Sequence, residues 1–152
     1  MMLLTGASGV LGSAVRERGE SSSIVALCHR RTIPGCALAL AGDVTRPHLG
    51  LSRLDYASLC EQIDVVVHCA ATVNMAAAES DYETINVSGT KHVARLAADA
   101  EAKLVHVSTA FVHGHDPTPR PSTYQASKRQ AEDIVRAGRA RGIIVKIGRA
   151  HV

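Results

Sequence analysis

The chain has no tryptophan, one phenylalanine and three tyrosines in 152 residues. Its core must therefore be aliphatic, built from Val, Ile, Leu and Ala, the usual filling of a parallel sheet buried on both faces. The same scarcity argues against nucleic acid as a partner. Such a surface wants a basic stripe interleaved with stacking aromatics, whereas the net charge is only +3 and Lys and Arg are scattered, apart from Arg136, Arg139 and Arg141. No run of apolar residues is long enough to span a membrane. No charged stretch precedes an apolar one at the N-terminus, so no signal peptide is expected. The four cysteines, Cys28, Cys36, Cys60 and Cys69, form no C-x-x-C pair and match no zinc spacing. They read as free thiols, three of them in or beside apolar runs and so buried. Free thiols fit a reducing compartment, and the expected location is cytoplasmic. Asn86-Val87-Ser88 is formally a glycosylation sequon, which carries no meaning there.

What remains is an ordinary globular composition, 46% hydrophobic and 20% charged, of a length that suits one domain with a real core. Short apolar runs alternate with longer amphipathic stretches. Strands are predicted at 1–4, 23–28, 37–41, 64–68 and 103–108, with a further one opening at 142–145. Asp64-Val65-Val66-Val67-His68 is the clearest, a β-branched run of strand length. Helices are predicted at about 9–18, 54–62, 81–100 and 124–139, and Pro117, Pro119 and Pro121 make a rigid loop before the last of them. Strands alternating with helices mean βαβ units: an α/β fold with a doubly wound parallel sheet.

The loop between the first strand and first helix is Thr5-Gly6-Ala7-Ser8-Gly9-Val10-Leu11-Gly12. A glycine pattern in that context is a phosphate-binding loop. Gly6 permits the tight turn, Gly9 lets backbone N–H groups approach a pyrophosphate, and Gly12 lets the helix pack close to the strand. The helix N-terminus adds free donors and a positive dipole end. The spacing is G-x-x-G-x-x-G, and no Lys-Ser or Lys-Thr follows, so this is not a P-loop. A dinucleotide is the expected cofactor. Where an NAD site usually has an acid at the end of strand two, this chain reads Cys28-His29-Arg30-Arg31. Guanidinium groups suit a 2′-phosphate, so Arg30 and Arg31 predict NADPH over NADH. Asp43, in Gly42-Asp43-Val44, is placed either to accept from the adenine amine or simply to cap a turn.

Tyr124 and Lys128 are four apart on a predicted helix and share one face. A free tyrosine, with a pKa of about 10, is a poor acid–base group at neutral pH. A neighbouring ammonium is expected to lower that value, letting the phenol give a proton to a carbonyl oxygen. Taken alone such a pair is a common surface arrangement. Ser108-Thr109, however, ends a predicted strand, where open α/β sheets bind ligands. His113, His115 and Asp116 read as a solvated loop rather than a metal site, and no metal is expected. His68 and His106 read as buried histidines with ordinary hydrogen bonds.

With these residues in order, the chain resembles the extended branch of the short-chain dehydrogenase/reductase superfamily, whose fold is Rossmann-type. Thr5–Gly12 resembles its cofactor loop, with Gly6, Ala7, Ser8, Gly9, Val10, Leu11 and Gly12 binding the dinucleotide. Cys69-Ala70-Ala71 resembles the turn that packs against the adenine ribose. Within that branch, Gly42-Asp43-Val44-Thr45-Arg46-Pro47-His48-Leu49-Gly50-Leu51-Ser52, His68–Asn74 and His106–Gly114 are similar to the thioester-reductase and fatty-acyl-CoA-reductase group, with its male-sterility-type NAD-binding domain. The first stretch is the most specific, and the run from Tyr124 to Glu132 also fits. The resemblance implies that Thr109, Tyr124 and Lys128 are catalytic, that Asn86 supports the lysine through water, and that Tyr124, Lys128, Asp43 and Val44 also meet the cofactor. It implies an acyl thioester substrate, reduced to aldehyde or alcohol. Two alternatives stay open: a nucleotide-sugar or hydroxysteroid-type enzyme on the same fold, and a non-catalytic NAD(P) sensor.

The family follows the Tyr-Lys helix with a strand, an Arg-Pro loop and a substrate-binding part. Here the chain ends Lys146-Ile147-Gly148-Arg149-Ala150-His151-Val152, which resembles the in-frame translation of a sequencing adapter. The expectation is a dinucleotide domain over 1–145 with a non-native tail at 146–152, a late start codon at Met1-Met2, a missing substrate domain, and little turnover from the chain alone.

Overall fold

The computed structural model describes residues 1–29, 33, 36–74, 76–113 and 122–148. Six strands form one parallel sheet: β1 (Met2–Thr5), β2 (Ile24–Cys28), β3 (Leu38–Ala41), β4 (Val65–His68), β5 (Lys103–Thr109) and β6 (Arg141–Ile147). Their order across the sheet is β3-β2-β1-β4-β5-β6. The order reverses between β1 and β4, where such sheets open a crevice at the strands' carboxyl ends. Register is continuous there: Leu4 lies opposite Ala26 on one side and Val67 on the other. The expected α/β, doubly wound architecture is what the chain adopts.

Alternation of side chains across the pleat sends successive residues of one strand to opposite faces. Leu3, Val25, Leu27, Val66 and Leu104 join one core with Leu59 of α2 (Arg53–Gln62), Val93 and Leu96 of α4 (Gly89–Asp99) and Val135 of α5 (Thr123–Ala137). Leu4, Ala26, Cys28 and Val67 form a second core, against which Val15 of α1 (Val10–Arg18) packs. The edge strand β6 is exposed at Ile143, Val145 and Ile147 and pairs with β5 as far as Thr109↔Ile147. None of the described helices is long and apolar enough to cross a membrane.

The helix expected over 81–100 differs from a uniform one. A single α-turn, α3 (Glu79–Asp81), runs into a π-helical segment at Tyr82–Ser88 and then into α4. The Gly89 N–H donates to the Thr84 carbonyl, five residues back. The wider turn rotates α4 relative to α3, and π segments occur mostly at functional sites. Between β3 and α2, His48 and Leu49 have φ of 52° and 57°, and Gly50 comes next at 68°. This left-handed turn drives Leu49 fully into the core and lets its carbonyl accept from the Asp43 N–H at 2.7 Å. All four cysteines are free, but only Cys28 is buried; the other three are half-buried.

Candidate functional site: a cleft at the switch point and a buried polar network

A cleft of about 1050 Å³ opens over the carboxyl ends of β1–β4. The glycine loop forms its floor. Gly6 has φ of 69°, and a Cβ there would lie 2.6 Å from the Ala70 nitrogen. At Gly12 a Cβ would lie 2.2 Å from the Gly6 carbonyl oxygen, so α1 packs against the loop only without a side chain. At Gly9 the sole near neighbour would be the Gly6 oxygen at 3.3 Å. A side chain there would press on that oxygen and stand beside the cleft. Gly9 caps α1 without any side-chain hydrogen bond, so no cap side chain takes up the first helical N–H groups. Gly6, Ala7, Ser8 and Gly9 line the cleft, as do Asp43, Val44, Cys69, Ala70 and Ala71. Val10, Leu11 and Gly12 do not line it and form the first turn of α1.

Asp43, which lines the cleft, also caps its turn. Its Oδ1 accepts from the Thr45 N–H at 2.9 Å and the Thr45 hydroxyl at 2.7 Å, and its Oδ2 lies 3.2 Å from His29 Nε2. Burial works against the carboxylate, yet the Thr45 hydrogen bonds and the His29 and Arg46 charges hold its pKa below the usual range. Arg30 and Arg31 lie outside the described residues, as do His115, Asp116 and the Pro117–Pro121 loop. Sequence reasoning missed His29, Ser80, Asp81, Thr84 and Ile85, which also line the cleft. The spacing of the last four, at 80, 81, 84 and 85, is one helical face and was the available signal.

Beside the cleft, a chain of hydrogen bonds links the glycine loop to the π segment through His68. Thr90 Oγ1 donates to the Asn86 carbonyl at 2.6 Å, which uses its only proton. It must therefore accept from His68 Nε2, 3.1 Å away. His68 then carries its proton on Nε2, and Nδ1 accepts from Thr5 Oγ1 at 2.7 Å. Thr5 Oγ1 in turn receives the Ala70 N–H at 3.3 Å. Burial, then the nearby His106 and Lys128 charges, push the His68 pKa well below its usual value, so the ring is neutral.

Asn86 is buried on the π segment. Its amide group closes on Thr72, accepting from the N–H at 2.8 Å and donating to the carbonyl at 3.2 Å. Nδ2 also donates to Ser127 Oγ at 3.0 Å, and Ser127 Oγ donates to the Tyr124 carbonyl at 2.8 Å. Asn86 thus reaches the Tyr124–Lys128 turn through Ser127. The helix carrying that turn starts with a full capping box of Ser122 and Gln125.

Thr109 at the end of β5 and Tyr124 at the start of α5 are in side-chain hydrogen-bond contact, and Lys128 lies one turn further along α5; none of the three lines the cleft. Lys128 is only 3% exposed. Its Nζ donates to the Val107 carbonyl at 2.8 Å and lies 3.4 Å from His106 Nε2. Burial draws its pKa down to about 8, with Glu132 opposing the shift. The expected lowering of the Tyr124 pKa by Lys128 does not occur. Burial raises it, Thr109 opposes by hydrogen bonding, and Tyr82 adds to the rise. The lysine points instead to Val107 and His106. His106 also departs from expectation: its Nδ1 is buried without a hydrogen-bond partner among the described residues. Glu132 is fully buried, accepting from Ser108 Oγ and Arg136, each at 2.6 Å. Among the described residues no cluster of three or more His, Cys, Asp or Glu could hold a metal.

The chain is similar to several known proteins. A family model described as Male sterility protein, of NAD-binding type, matches residues 28–119. A linear gramicidin synthase polypeptide of Brevibacillus parabrevis is 31% identical over 97% of this chain and 4% of its own length. Fatty acyl-CoA reductase 1 of Xenopus laevis is 35% identical over 67% of this chain and 18% of its own. Among solved structures, the terminal R domain from the myxalamid PKS-NRPS biosynthetic pathway superposes with a TM-score of 0.80 at 27% identity, over 95% of this chain and 47% of that one. The chain therefore spans about half of that domain and a small part of the curated relatives. With the family model matching more than half of its residues, the chain belongs to the male sterility protein family of NAD-binding domains.

Proposed function

We propose that this chain is the dinucleotide-binding part of an NADPH-dependent reductase of acyl thioesters. The observation that carries the reading is the contact of Thr109 with Tyr124, with the buried Lys128 one helical turn away, in a fold whose cleft is floored by the glycine loop. The fit of a dinucleotide rests on Gly6, Gly9 and Gly12, where side chains would strike protein or stand beside the cleft, and on the uncapped start of α1.

A bound reduced nicotinamide would supply hydride to the thioester carbonyl. The chain's own task is to receive the negative charge that develops on the carbonyl oxygen. In this reading the Thr109 and Tyr124 hydroxyls donate to that oxygen. Reduction needs a proton donor, and burial keeps the Tyr124 phenol protonated. Lys128, mostly charged at neutral pH, supplies a positive field. Asn86 holds the Tyr124 turn in place through Ser127. The thiohemiacetal then collapses to aldehyde and thiol. Arg30 and Arg31, with His29 beside them, favour the 2′-phosphate form of the cofactor. Both the fatty acyl-CoA reductase and the R domain bear names that fit this substrate class.

The test is NADPH oxidation by the full-length parent, with acyl-CoA set against an aldehyde and a UDP-sugar. Oxidation is expected with acyl-CoA, and Tyr124→Phe should lower kcat by about 10²–10⁴-fold with cofactor binding retained. Activity with the UDP-sugar alone would overturn the thioester reading. Equal turnover with NADH would overturn the NADPH preference, and an unaffected Tyr124→Phe would favour a sensor.

A further inference from the structure

His106 is a buried group that the reaction proposed above leaves without a task. It sits on β5 and is 1% exposed. Its ring faces His68 from β4, with centroids 5.3 Å apart and planes tilted by 40°. From α5 it meets Lys128, and the Glu132 charge also reaches it.

Hydrogen-bond accounting decides how His106 is protonated. An ammonium only donates, so the 3.4 Å contact makes Nε2 the acceptor. The single ring proton must then sit on Nδ1, the buried atom without a partner among the described residues. The other tautomer would satisfy no more atoms and would turn an N–H toward a cation. His68 is fixed the opposite way, with its proton on Nε2, by Thr90 and Thr5. An orphan buried N–H is costly. A fold that accepts it has placed the other nitrogen where an acceptor is needed. Only two acceptors meet the Lys128 ammonium among the described residues, the Val107 carbonyl and this ring, and together they fix its direction.

We propose that His106 is a positioning residue for Lys128, held as the Nδ1–H tautomer so that Nε2 accepts from the ammonium and aims it. Burial, then the Lys128 charge, bring the ring's pKa down to about 3, in keeping with a ring that stays neutral beside a cation. The part concerning cofactor rests on the function proposed above; the tautomer does not.

The test has two arms on the 152-residue chain. In the first, long-range ¹H–¹⁵N correlation spectra of the labelled chain at pH 6–7 report each histidine's tautomer, with His106→Gln and His68→Gln assigning the signals. A neutral His106 protonated on Nδ1, beside a neutral His68 protonated on Nε2, is expected. An Nε2–H or doubly protonated His106 overturns the proposal. In the second, NADPH affinity is read by fluorescence. His106→Phe, which keeps the ring volume and loses the acceptor, is expected to weaken binding by about tenfold. His106→Gln, whose amide oxygen can accept, is expected to recover most of that loss. Equal weakening by both variants marks a merely structural ring and overturns the proposal. If the unaltered chain binds no NADPH, the functional reading fails instead, and the spectra still judge His106.

Discussion

Gly12 shows how little room the glycine loop leaves. Its missing Cβ is replaced, in effect, by the Gly6 carbonyl oxygen, 2.2 Å from where that carbon would lie. That oxygen and the other nearest atoms, of Gly6 and Ala7, belong to backbone, so no side chain can give way. Gly12→Ala is therefore expected to destabilise the chain by about 1–3 kcal/mol, read as a lower urea midpoint with an unchanged slope. Single residues of this kind were legible in the sequence, because a glycine pattern between a strand and a helix has few other uses. Side-chain directions were less so. Tyr124 and Lys128 share a helical face, which spacing predicts, but whether Lys128 turns toward the phenol or toward the strand depends on which acceptors β5 presents. Val107 and His106 provide them, and only the folded sheet brings them there.

At the scale of elements, the strands and most helices emerged from the apolar pattern, and their ends differ by a residue or two. The π segment did not. A 3.6-residue period runs through Val87, Val93, Leu96 and Ala97, and one widened turn hardly disturbs such a pattern. What holds the segment is polar: the Asn86 amide on Thr72 and Ser127, and Thr90 on the Asn86 carbonyl. Asn86→Ala would strip the Thr72 N–H and carbonyl of their partner. Each orphaned group costs about 1–3 kcal/mol, so a total loss of about 2 kcal/mol or more is expected in denaturant unfolding. Faster hydrogen exchange at the Thr72 amide would distinguish this local loss from a general one. The left-handed turn at 48–50 was equally hidden, since His48 and Leu49 are not residues that announce positive φ. That stretch was nonetheless the most recognisable part of the sequence.

For the whole molecule, the two buried imidazoles set the response to acid. Both have pKa values depressed in the folded chain, chiefly by burial. Unfolded, each would titrate at about 6.5. Their contribution is therefore intact above about pH 6.5 and is lost as the pH falls below it, where the unfolded chain takes up protons that the folded one refuses. Each such proton is worth about 1.4 kcal/mol per pH unit. The melting temperature is expected to fall steadily from pH 6.5 toward pH 5, before the carboxylates Asp43 and Glu132 enter their own range. His106→Phe should remove about half of that slope; an unchanged slope would rule out the neutral buried ring as its source. His68 adds something that a slope alone does not express. Through Thr5 it is tied to the glycine loop, and through Thr90 to Asn86. A proton forced onto that ring unseats both at once. Acid should then dismantle the glycine loop and the helix beside it as one cooperative unit, with no intermediate in which one survives the other.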